Sequence, residues 1–354
     1  MNKIGSMVFC AVFFVLILAP LVLMPWSRNR QTENRLPAPP PELTKDGVFN
    51  LSLPGETEEY FKDRFAGRTQ MIEAYSRLLG GLFGVSANDK VVLGREGWLF
   101  FGETVGDFDG SAALSDTEME LLISDLLEIK SAAEARGQVF LLAVAPNKNT
   151  IYGGQMPARY RKTGKPTNFD RLLQAEGLDC IDLRAALAAS GQTAYYKTDT
   201  HWNGLGARIA AREIMLAIEE KTGAKARFDW DGEAFEPGAV TGDLGQMLYP
   251  ANPPEEPDRI YADTGQRYSA IGRYRSPDDL HITTESDGAP LRVAMYRDSF
   301  ANALIPYFSN AYSDVYYTRQ TPPPMDSAEV LEADVIVFEI AERRLGELAA
   351  ALRP

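Results

Sequence analysis

The run LRVAMYRDSFANALIPYF, residues 291–308, decides the fold. Residues 291–296 form a short, mostly apolar segment, the pattern of a strand buried on both faces of a parallel sheet. Arg297, Asp298 and Ser299 follow, and 300–309 has the spacing of a helix. A strand that turns this sharply into a helix presents Ser299 at the edge of the sheet. Similar runs lie on either side. QVFLLAVAP (138–146) is bounded by Gly137 and Pro146 and is too short for a helix. SDVYYT (313–318) and DVIVFEI (334–340) read the same way, and a shorter candidate, DCIDL (179–183), follows helical residues 168–176. Between them, helices are expected at 115–136, opened by the capping box Ser115-x-x-Glu118, at 204–221 and at 342–352. Strands alternating with helices predict an α/β sandwich with a mainly parallel sheet. Ligands of such sheets bind at the carboxyl ends of the strands. That rule selects PNK (146–148), RDS (297–299) and the residues after Ile340.

Upstream, Glu58–Leu79 has helical spacing, with Tyr60, Phe61, Phe65, Ile72, Tyr75 and Leu79 as its apolar positions. VVLGREGWLFF (91–101) predicts two short strands about a turn built on Gly94 and Gly97. Residues 247–290 are Pro-rich and polar, and long for a connection, so they predict an inserted hairpin, a lid or a surface excursion.

The chain has 354 residues and a formal net charge of −13, with 36 Lys and Arg against 49 Asp and Glu. That excess argues against nucleic-acid binding, which is driven by clustered cations. A strongly anionic polymer would need a locally basic groove, so a neutral or weakly charged glycan is at least as plausible. Two cysteines, Cys10 and Cys180, and two histidines, His201 and His281, leave no thiolate or histidine cluster for a metal. No intrachain disulfide is expected.

Met7–Trp26 is uncharged over 20 residues, long enough to cross a bilayer core, with Trp26 placed for the interface. A cleaved signal peptide is the alternative. Lys3 precedes the span and Arg28, Arg30 and Arg35 follow it, a count that places the large domain in the cytoplasm. The organisation read from the chain is a tail (1–6), an anchor (7–26), a Pro-rich linker (27–57) and one domain (58–354) carrying the 247–290 insertion. LPAPPPE within the linker reads as an extended spacer.

The densest chemical signal is YYKTDTHWN, residues 195–203. Asp199 and His201 are two apart, just before a helix that Asn203 can cap. On an extended or turn backbone, i and i+2 project the same way, so the carboxylate can fix the imidazole tautomer and leave the other nitrogen as a general base. A surface loop with an ordinary His is the bland alternative. Ser299 supplies a nucleophile, with the first helix amides near Ser299 and Phe300 aimed at whatever it attacks. Helix capping by Ser299 or Asp298 is the bland reading there. Taken together, the residues read as a triad: Ser299 nucleophile, His201 acid/base, Asp199 orienting carboxylate. His281 is given no role.

ENRLPAPPP (33–41), YFKDRFAGR (60–68), VVLGREGWLFF (91–101), PNKNTIY (146–152), TDTHWN (198–203), TGDLGQML (241–248), RDSF (297–300) and EIAERR (339–344) occur in this order. In these pieces the chain resembles the alginate O-acetyltransferase family of AlgJ and AlgX. The resemblance implies an SGNH-hydrolase-like three-layer sandwich and carries the triad onto Asp199, His201 and Ser299. It implies an inner-membrane protein with its domain in the periplasm, against the charge count. It also implies an exported polysaccharide as acceptor, alginate-like or another, and a membrane-bound O-acyltransferase as acetyl donor. No cofactor is expected, because no glycine-rich loop is present to cradle acetyl-CoA. A carbohydrate acetyl esterase and a non-catalytic glycan-binding subunit remain as other readings. Arg297 stands where the family often has Gly, which would alter the oxyanion pocket. Among other matching residues, Asn147 could donate to an oxyanion or cap a turn. Arg343 could bind substrate or pair with Glu339 or Glu342. Trp202 could stack on a sugar or pack in the core.

Overall fold

The computed structural model describes residues 3–26, 37–228, 230, 234–262 and 266–352. Arg28, Arg30, Arg35 and the linker's first part, 27–36, lie outside the described residues, as do 263–265 of the insertion. The chain forms two compact units, one of Met1–Val91 with Asp243–Pro254 and one of Val92–Gly242 with Glu255–Pro354.

The second unit is built on a seven-stranded sheet. In chain order its strands are β1 (Val139–Ala145), β2 (Cys180–Asp182), β3 (Ser269–Ile271), β4 (His281–Glu285), β5 (Arg292–Tyr296), β6 (Asp314–Thr318) and β7 (Val335–Ala341). Their spatial order is β2-β1-β7-β5-β6-β4-β3. The first five are mutually parallel, and β4 and β3 continue the sheet antiparallel. The apolar runs read from the sequence are the parallel strands. All seven residues of β7 are buried.

Alternate residues of the central parallel strands feed two separate cores, which is what makes three layers. Leu141, Ala143, Val293, Met295 and Val337 face a core shared with Ala207, Ala211 and Ile214 of the helix Gly204–Thr222. Phe140, Leu142, Ala294, Ile336 and Phe338 face the other, shared with Met119, Leu122 and Leu126 of Asp116–Glu134. The Ser115–Glu118 capping box forms as expected. Residues 300–309 depart from a plain helix: Phe300–Leu304 is a 3-10 turn and only Ile305–Ala311 is α-helical.

The segment 247–290 does not behave as one excursion. Glu255–Ala262 pairs antiparallel with Ala234–Thr241 in a hairpin that begins before residue 247, whereas 269–285 belongs to the central sheet as β3 and β4. These strands were hidden because they lie at the edge: β3 is exposed throughout and β4 alternates, so neither reads as an apolar run.

In the first unit, Lys3–Val22 is one helix that starts four residues before the apolar run. The single helix expected over Glu58–Leu79 is two, Leu53–Arg64 and Arg68–Phe83, broken at Gly67 with φ +80°. A residue held at positive φ ends the helix, and glycine takes that conformation at no steric cost.

Candidate active site

The parallel strands put their carboxyl ends on one edge, and there β5 runs into Arg297-Asp298-Ser299. The turn is fixed from behind by carboxylates. Asp298 accepts the Phe300 N–H at 2.9 Å and the Ala341 N–H at 2.8 Å, while Glu339 accepts the Asp298 N–H at 3.2 Å. Glu339 is fully buried, and burial, then the neighbouring Asp298 charge, pushes its carboxyl well above the ordinary range. Phe300's amide is therefore spent on Asp298, contrary to the oxyanion role expected of it. Ser299's own amide has no acceptor among the described residues.

His201 arrives on a tight loop. Tyr195 and Trp202 bridge antiparallel, Asn203 donates to the Ala194 carbonyl at 3.0 Å, and its side chain caps the helix by accepting the Gly206 N–H. Within that loop Asp199 Oδ1 lies 2.7 Å from His201 Nδ1 and accepts the His201 N–H at 2.9 Å. His201 Nε2 lies 2.8 Å from Ser299 Oγ. Hydroxyl, imidazole and carboxylate thus form one hydrogen-bonded row between residues 98 apart in sequence. Asp199 and His201 side chains are 13% and 28% exposed, open enough to meet a ligand. Such a row can move a proton from a hydroxyl onto nitrogen while the carboxylate steadies the resulting cation.

The row opens on a cleft of about 390 Å³ lined by Tyr196, Asp199, His201, Ser299, Asn302 and Arg259. Asn203, Asp258 and Arg259 also line an adjoining groove of about 600 Å³. Both sizes suit a small ligand or part of a polymer. Exposed Arg259 stands where the two meet, a cation among the carboxylates of Asp199 and Asp258.

Four further site expectations resolve differently. Trp202 is 2% exposed, its Nε1 donates to the Phe300 carbonyl at 3.1 Å, and its ring meets Phe300 edge-on. It is a wall that holds the Ser299 helix against the His201 loop, not a stacking platform. Arg297 is 1% exposed and turned from the cleft, bonded to Asn302 Oδ1 at 2.5 Å and to the Pro277 and Asp279 carbonyls at 2.7 and 3.1 Å. A guanidinium's fork of donors is what those loop acceptors require, so Arg297 anchors a loop and does not crowd an oxyanion. Asn147 is buried, donating to Asp107 at 2.8 Å from its side chain and to Glu342 at 2.8 Å from its backbone. Burial pushes those two carboxyls up, Asp107 to about 6 and Glu342 to about 7. Arg343 forms neither expected ion pair. Its guanidinium lies over the rings of Phe300 at 5.2 Å and Phe101 at 5.7 Å.

Three groups that position the loop escaped the sequence reading. Lys148, only 4% exposed, donates to the carbonyls of Tyr196, Lys197 and Asp199 at 3.0, 3.0 and 2.6 Å. Three ammonium protons meet three carbonyls beneath the Asp199 turn. From the other side the hairpin arm supplies Glu256, which accepts the Lys197 and Thr198 N–H groups at 2.7 and 2.5 Å, and Asp258, which accepts the Tyr196 hydroxyl. The hairpin comes so close that a Cβ on Gly204 would sit 2.0 Å from the Arg259 carbonyl. The only signal in the sequence was Lys148's place at the end of β1. Lys148→Met keeps the stem and strands three part-buried carbonyls, so it should cost about 3 kcal/mol of stability. Turnover at this site should fall about 100-fold through misplacement of the loop. Thermal unfolding and initial rates on the same preparation check both.

A parallel-core sandwich whose strand ends gather Ser299, His201 and Asp199 defines an SGNH-hydrolase-like domain. The family model described as SGNH hydrolase-like domain, acetyltransferase AlgX matches residues 91–273, more than half the chain, and the chain belongs to that family of acetyltransferases. The match includes Asp199 and His201 and stops short of Ser299. Among curated relatives, the probable alginate O-acetylase AlgJ of Pseudomonas syringae pv. tomato is 25% identical across 84% of this chain and 80% of its own length. Two solved structures share the fold. Bacillus cereus PatB1 superposes with a TM-score of 0.59 at 16% identity, covering 73% of this chain and 97% of that one. A DHHW family protein from Eubacterium siraeum gives 0.51 at 18%, covering 74% and 97%.

Proposed function

We propose that the protein is a membrane-anchored O-acetyltransferase that passes an acetyl group through Ser299 to a hydroxyl of an exported polysaccharide. The row Ser299 Oγ–His201 Nε2–Asp199, with contacts of 2.8 and 2.7 Å, carries this reading within an acetyltransferase family. In the first half-reaction Oγ bonds to the acetyl carbonyl carbon as His201 Nε2 takes its proton. The donor's leaving group then departs with that proton, and the acetyl remains on Ser299 as an ester. In the second half-reaction a sugar hydroxyl gives its proton to Nε2 and attacks the ester carbonyl. The sugar leaves acetylated, and Ser299 recovers its proton from His201. Asp199 holds Nδ1–H toward itself, so Nε2 faces Ser299 unprotonated at the start of each half.

The polysaccharide lies along the cleft and the adjoining groove, with Arg259 at their junction. An alginate-like uronate polymer is the acceptor that the names of the relatives suggest. The apolar helix anchors the protein in the inner membrane as a single pass, and the catalytic domain faces the periplasm. A membrane-bound O-acyltransferase delivers the acetyl group. The test is product analysis with the full chain, an activated acetyl ester and polymannuronate oligomers. Acetylated oligomer is the expected product. Free acetate alone, in undiminished amount when oligomer is present, would replace the transferase with an esterase.

A further inference from the structure

The helix Arg68–Phe83 is inside out. Its buried residues are polar: Thr69, Glu73 and Ser76 are 5%, 6% and 2% exposed. On the opposite face Met71, Tyr75, Leu78 and Leu82, spaced i, i+4, i+7 and i+11, are 53–69% exposed. The inward face is satisfied by hydrogen bonds: Glu73 pairs with Arg77 at 2.7 Å and accepts the Asn252 N–H at 2.7 Å. An amphipathic helix normally turns its apolar stripe to the core, so this one is built for an apolar medium outside the protein.

The place of the stripe says which medium. Ala66, in the turn that leads into this helix, donates its N–H to the Pro20 carbonyl at 3.0 Å. Pro20 is in the last turn of Lys3–Val22, the one helix among the described residues long and apolar enough to cross a bilayer. If that helix spans, its carboxyl end sits at the bilayer surface, and the bond brings the start of Arg68–Phe83 to the same level. A helix at that level with a Leu, Met and Tyr stripe on one face has the pattern of an interfacial helix.

We propose that Arg68–Phe83 lies on the membrane with Met71, Tyr75, Leu78 and Leu82 in the headgroup–acyl boundary, holding the first unit flat on the lipid. The occupant of the stripe is the bilayer itself, and because Met71, Tyr75, Leu78 and Leu82 are uncharged the contact needs no anionic headgroup. This rests on the anchor reading above.

The test uses the full chain in nanodiscs of zwitterionic phosphatidylcholine, in a Cys10→Ser/Cys180→Ser background. Nitroxide labels are placed singly by Leu78→Cys, Leu82→Cys, Ile17→Cys in the span and Lys225→Cys, whose side chain is 85% exposed. Circular dichroism matching the unlabelled parent shows that each variant is folded. At Leu78 and Leu82 the ratio of oxygen to nickel-chelate accessibility should exceed that at Lys225 by at least about fivefold. A ratio equal to that at Lys225 overturns the proposal. So does low accessibility to both reagents, which marks cover by protein. A water-accessible label at Ile17 would sink the anchor reading itself, whereas a lipid-buried Ile17 with a wet Leu78 removes only the interfacial helix.

Discussion

Ser299→Ala should lower kcat for acetyl transfer about 10⁶-fold while leaving the fold intact, the loss seen when the nucleophile of a serine–histidine–carboxylate row is removed. Oγ is the single atom deleted. It has one protein partner of consequence, His201 Nε2 at 2.8 Å, and it faces a cleft rather than a packed core. Thermal stability should therefore shift by no more than about 1 kcal/mol. The turn itself does not depend on the hydroxyl, because Asp298 and Glu339 hold its neighbouring amides. His201→Ala should cost about as much, and the double variant no more than either single one, since both remove the same proton path. A folded Ser299→Ala that turns over like the parent would remove Ser299 from the chemistry.

The second large effect is expected from Asp199→Asn, a drop of about 10⁴-fold in kcat. One oxygen, Oδ1, accepts both the His201 backbone N–H and the ring's Nδ1–H, at 2.9 and 2.7 Å. The amide has no negative charge to steady the imidazolium. Where its NH₂ faces the ring, Nε2 carries the proton and cannot accept one from Ser299. The loop should survive, because Lys148 and Glu256 hold its backbone independently of the Asp199 side chain. The discriminating readout is thus a large kcat loss without a matching fall in unfolding temperature. A loss in both together would make Asp199 a loop staple.

The parallel core and the row itself were legible in the sequence because both leave local signatures. A strand buried on both faces is apolar along most of its length, so β1, β5, β6 and β7 announce themselves even with Glu339 inside β7. A carboxylate two residues before a histidine, and a serine at a strand-to-helix junction, are each ambiguous alone and read as a row only when taken together. What stayed hidden depends on pairings distant in sequence. β3 and β4 are edge strands whose exposed residues carry no apolar run. Glu256 and Asp258 hold a loop some 60 residues upstream, and nothing in a Pro-rich stretch marks them as acceptors for its amides and for the Tyr196 hydroxyl. Arg297 read as an intruder in the oxyanion pocket because it follows β5 directly, yet its long side chain reaches back to Pro277 and Asp279. The helix break at Gly67 was missed because apolar spacing carries across a single left-handed residue.

The enzymatic account rests on a covalent ester at one oxygen atom. Rapid-quench mixing of the full-length protein with an acetyl ester donor, followed by intact-mass and peptide analysis before the first turnover completes, looks for it directly. The account predicts one acetyl group per chain, on the peptide containing Ser299, that disappears when oligosaccharide is added as acetylated sugar accumulates. Transfer that proceeds with Ser299 unmodified throughout, or with the acetyl carried on another residue, would contradict it.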